Sequence, residues 1–279
     1  MKILLSFLIP LQLFILQAEA GINTYNAGKL LQDSQKNQVI TPNDFKGSDT
    51  ERIQAAIRAA EKTTGKIVIP MQNANGTSSW MIDRAILLPS KITVILDNCI
   101  LQLSDKSRDN MFRSDNVGPG ISNPVWNHDI SIIGIGEVVL KGADNPRSTG
   151  DAYRTLTLSN EKGRVSYGSD AGKEGAKQKG DWRNNMIQIA YVDGFKLRNL
   201  TIKNSHAWAI SFERSKNVEL STLRFHNPEY IPVNGQQIKV YNKDGINLRH
   251  GCKYFRIDNI TGINGDDLIA LSSLDAAPY

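Results

Sequence analysis

The sequence predicts an all-β chain wound as a right-handed parallel β-helix with an N-terminal capping helix. Three observations predict it. A bent apolar motif recurs five times, a further strand keeps a fixed spacing between its isoleucines, and one amphipathic helix precedes the first strand.

The motif is clearest in residues 195–202, FKLRNLTI, where Phe195, Leu197, Leu200 and Ile202 are apolar. Residues 218–225 repeat it with Val218, Leu220, Leu223 and Phe225, and residues 94–101 with Val94, Leu96, Cys99 and Leu101. Ile130, Ile132 and Ile135, and then Phe255, Ile257 and Ile260, supply the remaining copies. Alternate side chains of a strand share a face, so each copy reads as two short strands joined by a two-residue corner. The second corner residue is Asn98, Gly134, Asn199, Thr222 or Asn259. Gly and Asn best tolerate left-handed backbone, so Thr222 is expected to mark a distorted corner.

A further strand follows each corner. Its isoleucines, Ile187, Ile210, Ile246 and Ile269, are separated by 23, 36 and 23 residues. A 23-residue turn of short strands and bends is one coil of a parallel β-helix, and the longer gap is a coil with 13 residues inserted within 226–241. Neighbouring coils then hydrogen-bond at about 4.8 Å.

The helix lies in SDTERIQAAIRAAEKTTG. Ser48 and Glu51 form a capping box, and Ile53, Ala56, Ile57 and Ala60 fall at helical spacing. One apolar face there can cover the first coil, whose first strand is KIVIP at 66–70. Residues 143–184, rich in Gly, Lys, Ser and Asp, break the period and read as a long loop.

A chain of 279 residues, 40% of them hydrophobic, can bury one large core. Residues 1–20 read as a secretory signal: Lys2, an apolar run from Ile3 to Leu16, and Ala18-Glu19-Ala20 in the small-x-small form of a cleavage site. That leaves residues 21–279 as one β-helix domain, secreted or periplasmic, with no membrane association after cleavage. The formal net charge of +5 suits an anionic partner, but no dense Lys/Arg block points to nucleic acid. Cys99 and Cys252 lie several coils apart, beyond disulfide reach, and both are expected to be free.

The period places Asp244 and Asp267, 23 residues apart, at equivalent points of adjacent coils, with Asp266 beside them. Stacked like charges are costly, and such a group should contain one carboxyl with a raised pKa. One protonated carboxyl and further carboxylates that hold a water suit glycosidic bond cleavage. Asp-Gly and Gly-Asp are also ordinary turn dipeptides, and clustered carboxylate oxygens could suit Ca²⁺. Trp208 occupies the same coil position one turn earlier, where its ring could stack on a sugar or simply pack. Lys239 and Lys243 flank the acids as attractants for an acidic substrate or as solvated charges.

SDTERIQAAIRAAEKTTGKIVIP, NSHAW (204–208), NKDGINL (242–248) and NGDDLIAL (264–271) together resemble glycoside hydrolase family 28, the polygalacturonase and rhamnogalacturonan hydrolase relatives. The resemblance runs from about residue 40 to the end and implies the same right-handed fold, the pectin-lyase-like solenoid. The family's Asn-Thr-Asp and Asp-Asp motifs stand here as Asn242-Lys243-Asp244 and Asp266-Asp267. The resemblance implies that Asp266 is the general acid and that Asp244 and Asp267 activate water, with inversion. Asn242, Trp208 and Lys243 are the candidate substrate contacts. A monomer without cofactor or metal, acting on galacturonate-containing pectic polysaccharide, is the expectation.

Two departures matter. Lys243 stands where the family has Thr, and the family's Gly-His-Gly and Arg-Ile-Lys motifs would fall beyond Tyr279, so the domain is read as a fragment incomplete at its C-terminal end or as a degenerate homologue. His250 and Arg249 follow the first motif and read as exposed loop residues. The rivals are a catalytically inactive carbohydrate-binding homologue and a polysaccharide lyase on the same scaffold.

Overall fold

A computed structural model of the chain describes residues 39–107, 109–118, 120–144, 185–233, 235–239 and 243–272. The expected signal segment, most of the long loop and Asn242 lie outside the described residues. By internal contact the chain divides into Met1–Val39 and Ile40–Tyr279, and every element below lies in the second unit.

Helix α1 (Asp49–Glu61) starts at Ser48, whose hydroxyl accepts from the Glu51 amide while Glu51 Oε2 accepts from the Ser48 amide at 2.9 Å. The capping box therefore forms as the sequence requires, and Ile53, Ala56, Ile57 and Ala60 are fully buried.

Six coils follow. The first three carry β1 (Lys66–Ile69), β2 (Ser79–Ile82) and β3 (Ile86–Leu88); β4 (Thr93–Asp97), β5 (Ile100–Leu103) and β6 (Phe112–Ser114); and β7 (Asn127–Ile135), β8 (Val139–Lys141) and β9 (Ile187–Ala190). The fourth has β10 (Val192–Lys203) and β11 (Ile210–Glu213). The fifth has β12 (Lys216–Asn227), a hairpin of β13 (Tyr230–Val233) and β14 (Gln236–Lys239), and β15 (Ile246–Leu248). The last has β16 (Lys253–Asn264) and β17 (Ile269–Leu271). All coil-to-coil pairings are parallel, and the antiparallel hairpin occupies the expected insertion.

One wall stacks β1, β4, β7 and the first halves of β10, β12 and β16; the second stacks β2, β5, β8 and their second halves. The third wall is β3, β6, β9, β11, β15 and β17. Its register joins Ile187 to Ile210, Ile210 to Ile246 and Ile246 to Ile269, as the spacing predicts. The helix side chains satisfy the open edge of the first coil. Gln54 exchanges two hydrogen bonds with the Leu87 backbone at 2.8 and 3.1 Å, and Asp49 Oδ2 accepts from the Met81 amide at 2.8 Å.

The corners need two corrections. Asn98, Asn199 and Asn259 are left-handed (φ 47°, 58° and 50°), and so is Thr222 at 53°. Thr222 is thus not distorted: it adopts the shared corner, and its hydroxyl accepts from Asn259 Nδ2 at 3.2 Å. In the third coil the left-handed residue is Gly136 (φ 67°) and not Gly134, because β7 runs on past the expected bend and sets Ile135 opposite Asp97. Gly134 is required for a different reason: a Cβ there would sit 1.9 Å from the Asn199 carbonyl oxygen.

The inward positions build one continuous core. Phe195, Phe212 and Phe255 run along it edge to face, with ring centroids 5.5 and 5.1 Å apart. Cys99 is buried at its corner, its thiol pushed up to about 12 by burial; Cys252 is half-buried, and both are free.

Candidate active site

The acids sit where the third wall begins. The Ala209 amide donates to the Asp244 carbonyl and the Gly245 amide to the Asp267 carbonyl, each at 2.8 Å. Together with the isoleucine register, these bonds align Asn110, Asn185, Trp208, Asp244 and Asp267 in one column up the solenoid. Asp266 precedes Asp267 on the last coil. One carboxylate oxygen from each of Asp244, Asp266 and Asp267 lies within 4.8 Å of the others.

The three acids are not alike. Asp244 is buried, whereas Asp266 and Asp267 are exposed. Burial, then the charges of Asp266 and Asp267, push the Asp244 carboxyl up to about 6. A hydrogen bond from Asn247 Nδ2 to Asp244 Oδ2, at 2.7 Å, opposes that rise. The expected raised carboxyl is present, and it belongs to Asp244.

Asn247 was missed in the sequence. It lies three residues after Asp244, faces the same way and is almost fully buried. A signal was there: the same three-residue step recurs up the column. Asn185 Nδ2 donates to Gln188 Oε1 at 2.9 Å, and Arg113 Nη1 donates to Asn110 Oδ1 at 3.1 Å. The outer face of the third wall is thus a strip of paired polar side chains, and in the fifth coil the pair is Asp244 with Asn247.

Lys243 does not lie on that face. Its side chain is fully buried, and its amine donates to the Pro228 carbonyl at 2.9 Å, at the root of the hairpin. Burial pushes the amine down to about 7. Successive residues point to opposite sides of extended backbone, so if Asp244 faces the cleft its neighbour turns away. Lys243 is therefore an internal brace and not a substrate contact. It packs near Gly265, where an added Cβ would meet Glu229 Cα at 2.9 Å and Lys243 Cβ at 3.4 Å. This packing seats the turn that carries Asp266. His206, also buried, is pushed down to about 4 by burial and by the Lys243 charge.

Trp208 is half-buried in the acid column, with the Arg249 guanidinium 5.0 Å from its ring centroid. Arg249 is also half-buried and not the exposed loop residue that the sequence suggested.

Three carboxylates at this spacing would also fit a cation, the alternative left open by the sequence. One oxygen from each acid converges, and Ca²⁺, which takes six to eight oxygens, would need second carboxylate oxygens, backbone carbonyls or waters besides; Asp244 Oδ2 already accepts from Asn247. We assign no metal ligand here.

A profile of glycosyl hydrolases family 28 matches residues 158–276, which include all three acids. Over this stretch the chain is similar to glycosyl hydrolases family 28, and the resemblance read from the motifs is borne out over those residues; a match to that family implies a carbohydrate substrate. No curated protein matches the chain. Among solved structures, the chain is similar to a protein of Parabacteroides merdae ATCC 43184 described as a candidate glycosyl hydrolase, at 13% identity and a TM-score of 0.41, over 82% of this chain and 91% of that one. It is also similar to PfbA, a surface adhesin of Streptococcus pneumoniae, at 16% identity and a TM-score of 0.45, over 76% of this chain and 49% of that one.

Proposed function

We propose that the protein is a glycosidase that cleaves galacturonate-containing pectic polysaccharide with inversion, outside the cytoplasm. The convergence of Asp244, Asp266 and Asp267 within 4.8 Å carries the glycosidase part of this reading; inversion comes from the family resemblance, since that gap is shorter than the roughly 6.5–9.5 Å usual between the acid and base of inverting enzymes. A water that hydrogen-bonds two oxygens at about 2.8 Å each can bridge a gap of up to about 5.6 Å, so Asp244 and Asp267 can share one. In this mechanism Asp266 gives its proton to the leaving glycosidic oxygen. The shared water attacks the anomeric carbon from the opposite face and passes its proton to the Asp244–Asp267 pair. Asn247 holds Asp244 in place and favours its ionised form.

The raised Asp244 supports a second assignment, in which Asp244 is the acid. The pH profile separates the two. With Asp244 as base, the rate climbs as pH rises through about 6; with Asp244 as acid, it falls there.

The test is reducing-end release from polygalacturonate by the whole chain and by Asp266→Asn. The wild-type chain should release reducing ends without unsaturated product and should keep its rate in chelator. Asp266→Asn should lose about 100-fold or more with its fold intact. Asp266→Asn at wild-type rates removes Asp266 from the acid role, and unsaturated product that a chelator abolishes makes the protein a lyase.

A further inference from the structure

We propose that the outer face of the second wall is a binding surface for an acidic polysaccharide, separate from the cleft and centred on Lys203 and Arg224. The proposal rests on the reading above only for the kind of polymer; the face itself is argued from its charges.

The second wall is built from β2, β5, β8 and the later halves of β10, β12 and β16. Its inward side chains, among them Leu140, Ile202, Leu223 and Phe225, are buried in the core. Strand alternation then turns Lys141, Thr201, Lys203, Arg224, His226 and Thr261 outward. Lys203 lies in register with Lys141 on one side and His226 on the other, and Arg224 lies between Thr201 and Thr261. Adjacent strands are about 4.8 Å apart, so these side chains share one patch roughly 10 Å across. The acids open the third wall, beyond the bend at residues 204–209, so the patch and the cleft are different faces of the solenoid.

The charges on this wall are sorted. Among the described residues, none of its strand segments contributes an aspartate or a glutamate. Asp144, just past β8, holds Lys141 at 2.8 Å and accepts from Gln102 at 2.9 Å, at the rim of the patch. No carboxylate of the described residues lies within ion-pair distance of Lys203, Arg224 or His226. The first wall is arranged differently. There Lys196 faces Glu219 at 3.8 Å, Lys216 faces Asp193 at 3.2 Å and Arg256 faces Asp258 at 3.2 Å. Like charges set side by side on neighbouring strands are destabilising. The chain thus pairs these cations on one wall and leaves Lys203 and Arg224 unpaired on the next, an arrangement that an anion lying across the patch would offset.

The surface selects the class of anion. Its cations are spread over three successive coils, which suits an extended polymer better than one small ion. Its outward strand positions carry no Phe, Tyr or Trp, so nucleic-acid bases find no ring to stack on. Thr201 and Thr261 supply hydroxyls on either side of Arg224. A guanidinium takes a carboxylate through two parallel bonds, and a threonine hydroxyl can donate to or accept from a sugar hydroxyl.

The experiment is affinity electrophoresis of the whole chain through gels containing polygalacturonate or its methyl ester. The wild-type chain should be retarded more by the free acid than by the ester, and less as salt is added. Lys203→Gln combined with Arg224→Gln should weaken binding of the free acid roughly 2- to 30-fold. Lys196→Gln combined with Arg256→Gln removes the same charge from the first wall and should leave binding unchanged. Equal losses in the two double variants would make net charge the cause and overturn the proposal, and so would no loss in the second-wall pair. Duplex DNA or phosphatidylserine vesicles held as tightly as polygalacturonate, through the same two residues, would assign the face to another class of partner and overturn it as well. Hydrolysis of a short oligogalacturonate, which fills only the cleft, should not change in the second-wall pair; a drop there would place the two residues in the cleft and end the idea of a separate surface. If the wild-type chain hydrolyses nothing while polymer binding still depends on Lys203 and Arg224, the glycosidase reading fails and the surface stands.

Discussion

Replacing Asn247 with Ala removes the donor that favours the ionised form of Asp244. The bond is short, 2.7 Å, and both partners are buried, so water cannot readily take its place. A hydrogen bond to a charged group is worth about 1.5–3 kcal/mol, and 1.36 kcal/mol corresponds to one pH unit in a midpoint. Asp244 titrates at about 6 with the bond in place, raised by its own burial and then by Asp266 and Asp267. Without the bond its midpoint should move to between about 7 and 8. At pH 7 roughly nine in ten Asp244 carboxyls are then ionised in the wild-type chain, against between about one in ten and one in two in the variant. The other charged groups nearby, Lys243, His206 and Arg249, are unchanged by the substitution. The assay is a carboxyl NMR titration, with Asp244 assigned by its loss in Asp244→Asn. If the Asn247→Ala midpoint stays within a few tenths of the wild-type value, or moves down, the hydrogen bond does not tune Asp244 and the argument fails. In an active chain, the limb of the rate profile near pH 6 should follow the same displacement.

Two further outcomes follow from the same geometry. Asp244 is raised from 3.8 to about 6 on folding, so its protonation favours the folded chain below about pH 4, and that contribution is lost as pH rises through about 6. Asp244→Asn should therefore stabilise the chain by about 2–3 kcal/mol at pH 7 and by almost nothing at pH 4, measured by urea unfolding; an equal effect at both pH values would show that charge is not the cause. Thr222→Asn should stabilise by about 0.5–1 kcal/mol, since a β-branched residue at φ 53° is strained where Asn is tolerated; a lower melting temperature would mean that the Thr222–Asn259 bond outweighs the strain.

The sequence by itself determined the solenoid, its coil length and the place of the hairpin insertion. Strand periodicity and a 23-residue repeat leave little freedom: shifting one coil by a residue would turn its apolar face outward. The same repeat aligned Asp244 with Asp267 and Trp208. Only the tertiary structure decided what each of these side chains meets. Asp244 is raised because neighbouring coils exclude water from it, a property of packing that no spacing records. Lys243 turns inward to Pro228, Asn247 turns onto Asp244, and Arg249 lies along the wall to Trp208. At bends, side-chain direction depends on where the backbone goes left-handed, and the displaced corner at Gly136 shows that residue type alone does not say where.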